Sequence, residues 1–265
     1  LEPGDSWFGG RALGMTSGVG EKLAIVDWAI DRDIYPFMGV YVAPVYALRG
    51  ALAESWEQPD DTTYIFHIRK GVHWHDKPPV NGRELTAKDV EHSFHRMLGN
   101  KLTGTEFSES EPSPGGGDLV ALPFESVTAT DKWTVVMKLT EPNLAALDYI
   151  LDWYSMVIQP PEVIEQYGDD WDWQNVVGTG PFMITDLVPG SSITWTKNPN
   201  YWGYDEKYPE NRLPYIDTYR ALLMPDMSTR LAALRTGKVD MMSNTGDAAI
   251  YSIDDLATLQ RTNPE

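Results

Sequence analysis

The stretch Thr63-Tyr64-Ile65-Phe66-His67-Ile68 decides the local fold of the first half of the chain. Its residues Tyr64, Phe66 and Ile68 recur at every second position, which is the period of a half-buried β-strand. Gly71 ends this run, and we expect residues 72–75 to form a second short strand that pairs back onto the first. The stretch therefore predicts a sheet strand with one buried face.

A helix is predicted directly after these strands, at residues 86–98. Thr86 is a favourable N-cap, and Asp89 stands three residues later as the acidic member of a capping-box-like pair. The apolar residues that follow share one helix face: Val90, Phe94, Met97 and Leu98. Gly99 then tolerates the left-handed backbone that commonly ends a helix.

The rest of the chain predicts alternating helices and strands. Helices are expected over residues 20–31, 144–153 and 160–168, two strands within 127–139, and a surface loop over 103–118. A type II turn at Pro189-Gly190 predicts a hairpin. Residues 216–242 predict a strand, a helix capped by Ser228 and a second strand at 239–242, which form a right-handed β-α-β crossover.

Length and composition restrict the class of protein. With 265 residues, 42% apolar and 23% charged, the chain is expected to form two cores of the soluble globular type. The formal net charge of −18 repels phosphate backbones, so nucleic acid is not expected as a partner. The lack of cysteine excludes disulfides, thiolate metal sites and Cys nucleophiles. Ten Trp and thirteen Tyr residues indicate a surface that grips a ligand.

Two short patterns could carry chemistry, and each has a plainer explanation. His73 and His75 lie two apart on a predicted strand and could share a metal ion, but no third ligand is near in sequence. Gly178-Thr179-Gly180 begins like a dinucleotide fingerprint, but Pro181 follows at once and a strand pattern comes next. We therefore expect no metal site, no cofactor and no catalytic residue.

Several segments resemble, in the same order, the extracellular solute-binding proteins of peptide, oligopeptide and nickel ABC importers. They are Leu52–Glu57, Tyr64–Val72, His75-Asp76, Leu85–Phe94, Gly178–Phe182, Asn198–Trp202, Ser228–Leu234 and Gly237–Asp240. The resemblance covers roughly residues 40–245. It departs at residues 78–84, which are longer than the usual tight turn, and at residues 106–117, an enlarged loop.

The resemblance implies a mixed α/β (α+β) fold, a lobe of the periplasmic binding protein-like II type with an inserted α+β domain. Residues 1–45 and 173–245 then belong to a discontinuous first lobe, and residues 46–172 to the inserted domain. Residues 246–265 are the start of a truncated second lobe. Members of the family are much longer, so we expect the chain to be a fragment.

A ligand site is expected after the last predicted strand. In open α/β sheets ligands bind beyond the carboxyl ends of parallel strands, which places Ser243, Asn244 and Thr245 at the mouth of the β-α-β unit. Asn244 can offer a donor and an acceptor to peptide-like groups, although a turn-forming Asn before Gly246 is the alternative.

Aromatic side chains elsewhere are further ligand-binding candidates, because their rings can stack on a peptide or a sugar. The candidates are Phe107, Trp153 and Tyr154. Core packing is the alternative for each of them.

The resemblance implies a binding protein and no enzyme. We expect the substrate-binding component of an ABC transporter, a monomer that captures a peptide or similar small-molecule solute and delivers it to an ABC permease. Its expected location is periplasmic or extracellular, with or without a lipid anchor. The alternatives are an oligosaccharide cargo, and a secreted glycoside hydrolase that uses Trp171 and Trp173 with the acidic residues among 169–172. Calorimetry with peptides and oligosaccharides, and turnover of chromogenic glycosides, would distinguish these readings.

Overall fold

The computed structural model describes residues 18–36, 43–113, 116–153, 156–168, 172–242 and 261. The chain divides into two compact units. The larger unit comprises residues 1–187 and 194–219, and the smaller unit comprises residues 188–193 and 220–265. The boundaries of the lobe and the inserted domain expected from the sequence stay a prediction.

The larger unit contains two antiparallel sheets. Strands β1 (Ala24–Val26) and β2 (Leu48–Gly50) pair with each other. The second sheet has the order β3-β4-β6-β5, with β3 at Ala53–Asp60, β4 at Thr63–Ile68, β5 at Phe124–Ala129 and β6 at Thr134–Leu139. The helices of this unit are α1 (Ala87–Leu98), α2 (Gly117–Ala121), α3 (Ala146–Asp152) and α4 (Pro161–Tyr167). Short 3-10 turns lie at Val45–Ala47, Gly99–Lys101 and Trp173–Asn175.

Strand β4 and helix α1 form as their sequence patterns predict. The side chains of Tyr64, Phe66 and Ile68 point into the main core, where each residue is at most 1% exposed. Helix α1 follows Thr86, whose amide donates to Asp89 Oδ2 at 2.7 Å. Its apolar face packs into the same core, and its last turn ends at Gly99 with a φ of 54°.

A third sheet has the order β7-β8-β9, with β7 at Phe182–Val188, β8 at Ser192–Lys197 and β9 at Thr218–Leu222. The turn between β7 and β8 has Pro189-Gly190 at its centre. The amide of Ser191 donates to the Val188 carbonyl at 3.0 Å, and Gly190 has the positive φ, 69°, that a type II turn requires. The predicted hairpin turn is confirmed.

The helix of the smaller unit, α5 (Met227–Arg235), begins two residues earlier than the sequence suggested. Asp226 caps it, because its Oδ2 accepts from both the amide and the hydroxyl of Thr229 at 2.7 Å. The prediction that Ser228 is the cap is therefore wrong. A carboxylate two residues upstream competes successfully for the free amides of the first turn.

The predicted helix at residues 20–31 is wrong. This region forms the short strand β1 followed by turns. The main chain around β1 bonds to distant segments: the Lys22 carbonyl accepts from Leu52 N at 3.2 Å, and the Leu23 carbonyl accepts from Ala53 N at 2.9 Å. Tertiary partners therefore override the local pattern.

Two predicted strands are also wrong. Residues 72–75 contribute one isolated bridge, between His73 and Glu84, and do not form an extended strand ladder. Residues 239–242 lie in the described part of the chain and are not a strand, so the predicted crossover to a parallel strand does not form up to residue 242.

In the described ranges, no helix is long and apolar enough to span a bilayer.

Candidate functional site

Two chain segments cross at van der Waals contact in the larger unit, at residues 18–19 and 178–180. The amide of Gly180 donates to the Val19 carbonyl at 2.8 Å. A Cβ atom on Gly178 would lie 1.9 Å from the Val19 oxygen, and one on Gly180 would lie 2.3 Å from the Gly18 oxygen. Only glycine permits this approach, which explains the Gly-x-Gly spacing without a phosphate.

His75 holds the same crossing from the other side. Its Nε2 lies 3.0 Å from the Gly180 carbonyl oxygen, and its Nδ1 accepts from the Gly178 amide at 3.3 Å. The residue is 1% exposed. Burial lowers the pKa of the His75 ring to about 4; the hydrogen bond to Gly180 opposes this shift and Lys77 assists it. The ring is therefore neutral at pH 7.

The segment Asn198–Trp202 joins the crossing through its first residue. The amide of Asn198 donates to the Pro181 carbonyl at 2.7 Å, and its side-chain Nδ2 donates to the Gly180 carbonyl at 3.2 Å. Two motifs that are about twenty residues apart in the sequence thus form one hydrogen-bonded unit.

Glu21 supplies a buried carboxylate beside this unit. Its Oε1 accepts from the Tyr201 hydroxyl at 3.0 Å, and its Oε2 accepts from the Trp202 indole N–H at 2.9 Å. The Arg69 guanidinium lies over the Trp202 ring, 4.8 Å from the ring centre. Burial raises the pKa of Glu21, against the lowering effect of Trp202, Tyr201 and Arg69.

Helix α3 fixes the chain that follows the first strand. The Asp152 carboxylate accepts from the Lys22 ammonium and, at 3.0 Å, from the Ala43 amide. Asp148 accepts from the Val45 amide at 2.8 Å. Residues 43–47 are therefore held by acidic side chains of a helix more than a hundred residues away in the sequence.

The segment after β1 carries large apolar side chains at the surface of the unit. Trp28, Ile34 and Tyr46 are 65%, 61% and 65% exposed. The Asp27 amide donates to the Ala47 carbonyl at 2.8 Å, which brings the main chain beside Trp28 next to that beside Tyr46. This surface could bind a ligand with apolar side chains or rings.

The structure places two of the six predicted ligand residues. The ring of Phe107 is half-buried against His92, with ring centres 5.3 Å apart. Trp153 is 6% exposed and packs in the main core, where a Cβ on Gly117 would lie 2.4 Å from its ring. The remaining four predicted residues lie outside the described residues: Tyr154, Ser243, Asn244 and Thr245.

Sequence reasoning missed the buried carboxylates of Glu21 and Asp152, because nothing in the local pattern distinguishes them from the other acidic residues among the 39 of the chain. It therefore also missed Lys22, which pairs with Asp152. The two histidines weighed as metal ligands each bond to a main-chain oxygen, His73 to that of Gly82 at 2.8 Å and His75 to that of Gly180. Within the described ranges, no three His, Cys, Asp or Glu residues are grouped to hold a metal ion.

The fold is that of a periplasmic binding protein. The periplasmic binding protein DppA from Helicobacter pylori, in complex with the peptide STSA, matches with a TM-score of 0.70 and 24% identity over 94% of this chain and 44% of that one. OppA from Haemophilus influenzae, in complex with RPPGFSPFR, matches with a TM-score of 0.69 and 24% identity over 94% of this chain and 44% of that one.

The chain belongs to the bacterial extracellular solute-binding proteins, family 5, whose middle-region model matches residues 47–264. The dipeptide-binding protein of Escherichia coli (strain K12) is 32% identical over 209 residues, which are 75% of this chain and 37% of that protein. The periplasmic oligopeptide-binding protein OppA of Haemophilus influenzae is 28% identical over 205 residues, 74% of this chain and 35% of that protein. The chain thus spans little more than a third of these curated relatives.

Proposed function

We propose that the complete protein is the substrate-binding component of an ABC importer and that it captures peptides outside the cytoplasmic membrane. The family match over residues 47–264 carries this proposal. The names of the dipeptide- and oligopeptide-binding relatives favour a peptide over an oligosaccharide as cargo. A permease in the membrane is the partner to which the cargo passes, and no reaction is catalysed.

In this proposal, affinity comes from the burial of the ligand's apolar groups and from a few polar anchors. The exposed rings of Trp28 and Tyr46 supply apolar contact in the larger unit. The polar anchor predicted from the sequence, the amide of Asn244 with Ser243 and Thr245, is a separate proposal for the smaller unit. The crossing at residues 178–180 keeps the first strand and its exposed segment in place before the ligand arrives. Such preorganisation reduces the entropy lost on binding.

Isothermal titration calorimetry of the complete protein tests the proposal with two matched panels, peptides and oligosaccharides of increasing length. We expect saturable heat with at least one class of peptide and none with the sugars. No turnover of chromogenic glycosides is expected. Saturable binding of oligosaccharides alone would reassign the cargo, and glycoside turnover would contradict the binding-protein assignment.

Single substitutions locate the surface once a binding peptide is known. Trp28→Ala is expected to weaken binding about tenfold, or by about 1.4 kcal/mol, because a large ring is lost from the contact. Tyr208→Ala is the matched control, since Tyr208 is 57% exposed on a different loop. Equal affinities of the two variants would exclude Trp28 from the binding surface.

A further inference from the structure

The imidazole of His75 lies between a hydrogen-bond donor and a hydrogen-bond acceptor of the same short segment. The Gly178 amide points at Nδ1 at 3.3 Å, while the Gly180 carbonyl oxygen lies 3.0 Å from Nε2. Only the neutral ring with its proton on Nε2 satisfies both partners. The main chain adds a third bond, from the His75 amide to the Gly178 carbonyl at 2.8 Å.

We propose that His75 is an acid-operated latch, in which uptake of one proton from solvent at Nδ1 breaks the bond from Gly178 and releases residues 178–180 from the loop at residues 72–84. The added proton turns Nδ1 into a donor that faces the Gly178 N–H, which is also a donor. The closed arrangement therefore offers this proton no acceptor. The open state lets the charged ring reach water. This property goes beyond ligand capture and does not depend on the identity of the cargo.

The closed crossing connects three parts of the larger unit. On one side the loop at residues 72–84 carries His75, and on the other side Gly18 and Val19 bond to Phe182 and Gly180. Asn198 adds a side-chain bond to the Gly180 carbonyl that contains no titratable group. Loss of the His75 contacts therefore frees residues 178–180 from the 72–84 loop while Asn198 still holds them to β8.

The charges around the ring favour the neutral state. Lys77, in the same loop, disfavours an imidazolium ion, and it bonds to the Val176 carbonyl at 3.2 Å. Asp172 acts on Lys77, and the Asp76 side chain lies against Gly82. On the far side of the crossing, the Glu21 carboxylate accepts from Tyr201 and Trp202.

The size of the effect follows from linkage. The pKa of His75 is about 4 in the closed state, against 6.5 for an exposed ring. The folded value is lowered, so the stabilisation from the neutral ring is complete above pH 6.5 and is lost as the pH falls towards 4. Between pH 7 and pH 4 the equilibrium constant for opening is expected to rise about a hundredfold.

Hydrogen–deuterium exchange of the complete protein measures this opening directly at the amide of Gly178. After correction for the intrinsic exchange rate, we expect its protection to fall about a hundredfold between pH 7 and pH 4. In His75→Gln the side-chain amide can replace both bonds but cannot take up a proton, so protection is expected to be nearly independent of pH. His67→Gln is the control, because His67 is exposed and pairs with Glu57, and it keeps the wild-type pH dependence.

Two outcomes overturn the latch: the same pH dependence of Gly178 protection in wild type and His75→Gln, or a His75 ring that titrates near 6.5 by NMR. The NMR titration of the wild-type ring decides the matter even if His75→Gln fails to fold. Failure to bind any peptide would remove the proposed function and leave the latch intact, because exchange is measured without ligand.

Discussion

The indole N–H of Trp202 donates to Glu21 Oε2 at 2.9 Å, across 181 residues of sequence. This bond gives a buried carboxylate a neutral donor on one oxygen, and the Tyr201 hydroxyl does the same on the other. Charge-assisted hydrogen bonds of this kind offset the cost of removing an anion from water. The bond also fixes the start of the first strand to the Asn198–Trp202 motif.

Removal of the Glu21 carboxylate is expected to destabilise the fold. Glu21→Ala leaves the Tyr201 hydroxyl and the Trp202 indole N–H buried without an acceptor, at a cost of about 3 kcal/mol. Chemical denaturation of the variant measures the loss. The matched control is Glu109→Ala at an exposed loop position, for which we expect a change of less than about 0.5 kcal/mol. Equal losses in both variants would contradict the anchoring role of Glu21.

The stability difference between wild type and Glu21→Gln is expected to depend on pH. Burial raises the pKa of Glu21 above its ordinary value of 4.5. The stabilisation of the folded state by the protonated Glu21 side chain is therefore complete below pH 4.5 and is lost as the pH rises through the folded-state pKa. Thermal unfolding in steps from pH 4 to pH 8 should show the wild type losing stability relative to the variant as pH rises. A constant difference would show that the pKa is not raised.

Arg83 and Asp89 are expected to be energetically coupled. The Arg83 guanidinium donates to both carboxylate oxygens of Asp89, at 3.0 and 2.6 Å, and also to Glu162. Arg83→Met leaves the buried Asp89 charge without its counter-ion and should cost about 3 kcal/mol, but much less in an Asp89→Asn background. A double-mutant cycle by urea denaturation should give a coupling energy of about 1–3 kcal/mol. Additive effects would contradict the pairing.

Alanine in the glycine crossing is expected to be severely destabilising. Gly178→Ala and Gly180→Ala each place a Cβ within 2.3 Å of a main-chain oxygen that cannot move alone. We expect a loss of about 3 kcal/mol or more, measured by thermal unfolding. Gly190→Ala is the control, because Gly190 has a positive φ and open space around it, and should cost about 1 kcal/mol. Similar losses at all three positions would indicate that backbone strain alone decides the effect.

The aromatic stack on the third sheet is expected to contribute to stability. Tyr219 lies parallel to Trp195, with ring centres 4.5 Å apart and 9° between the planes, and Phe182 meets its edge at 4.9 Å. Tyr219→Leu should lower the free energy of unfolding by about 1 kcal/mol beyond the change at an exposed tyrosine. Tyr208→Leu provides that reference. Equal changes would show that the stack adds nothing to burial.

The sequence by itself determined the elements whose signals are local. Tyr64, Phe66 and Ile68 sit in the main core, Thr86 and Asp89 start α1, and Pro189-Gly190 makes its turn. Each of these signals lies within a few residues, so period, cap and turn chemistry suffice to read it. The ordered motifs also pointed to the family that the match over residues 47–264 shows.

Only the tertiary structure decided which polar residues matter. Residues 20–31 carry a helical pattern but form β1, because the carbonyls of residues 21–23 accept from amides at 51–53 and 158. Asn198 bonds to Gly180, 18 residues away, and Glu21 and His75 join this unit through contacts that span more than a hundred residues. The protonation state of a buried carboxylate or histidine depends on its distant partners and on the loss of water around it. Neither the partners nor the burial can be predicted from the neighbouring residues.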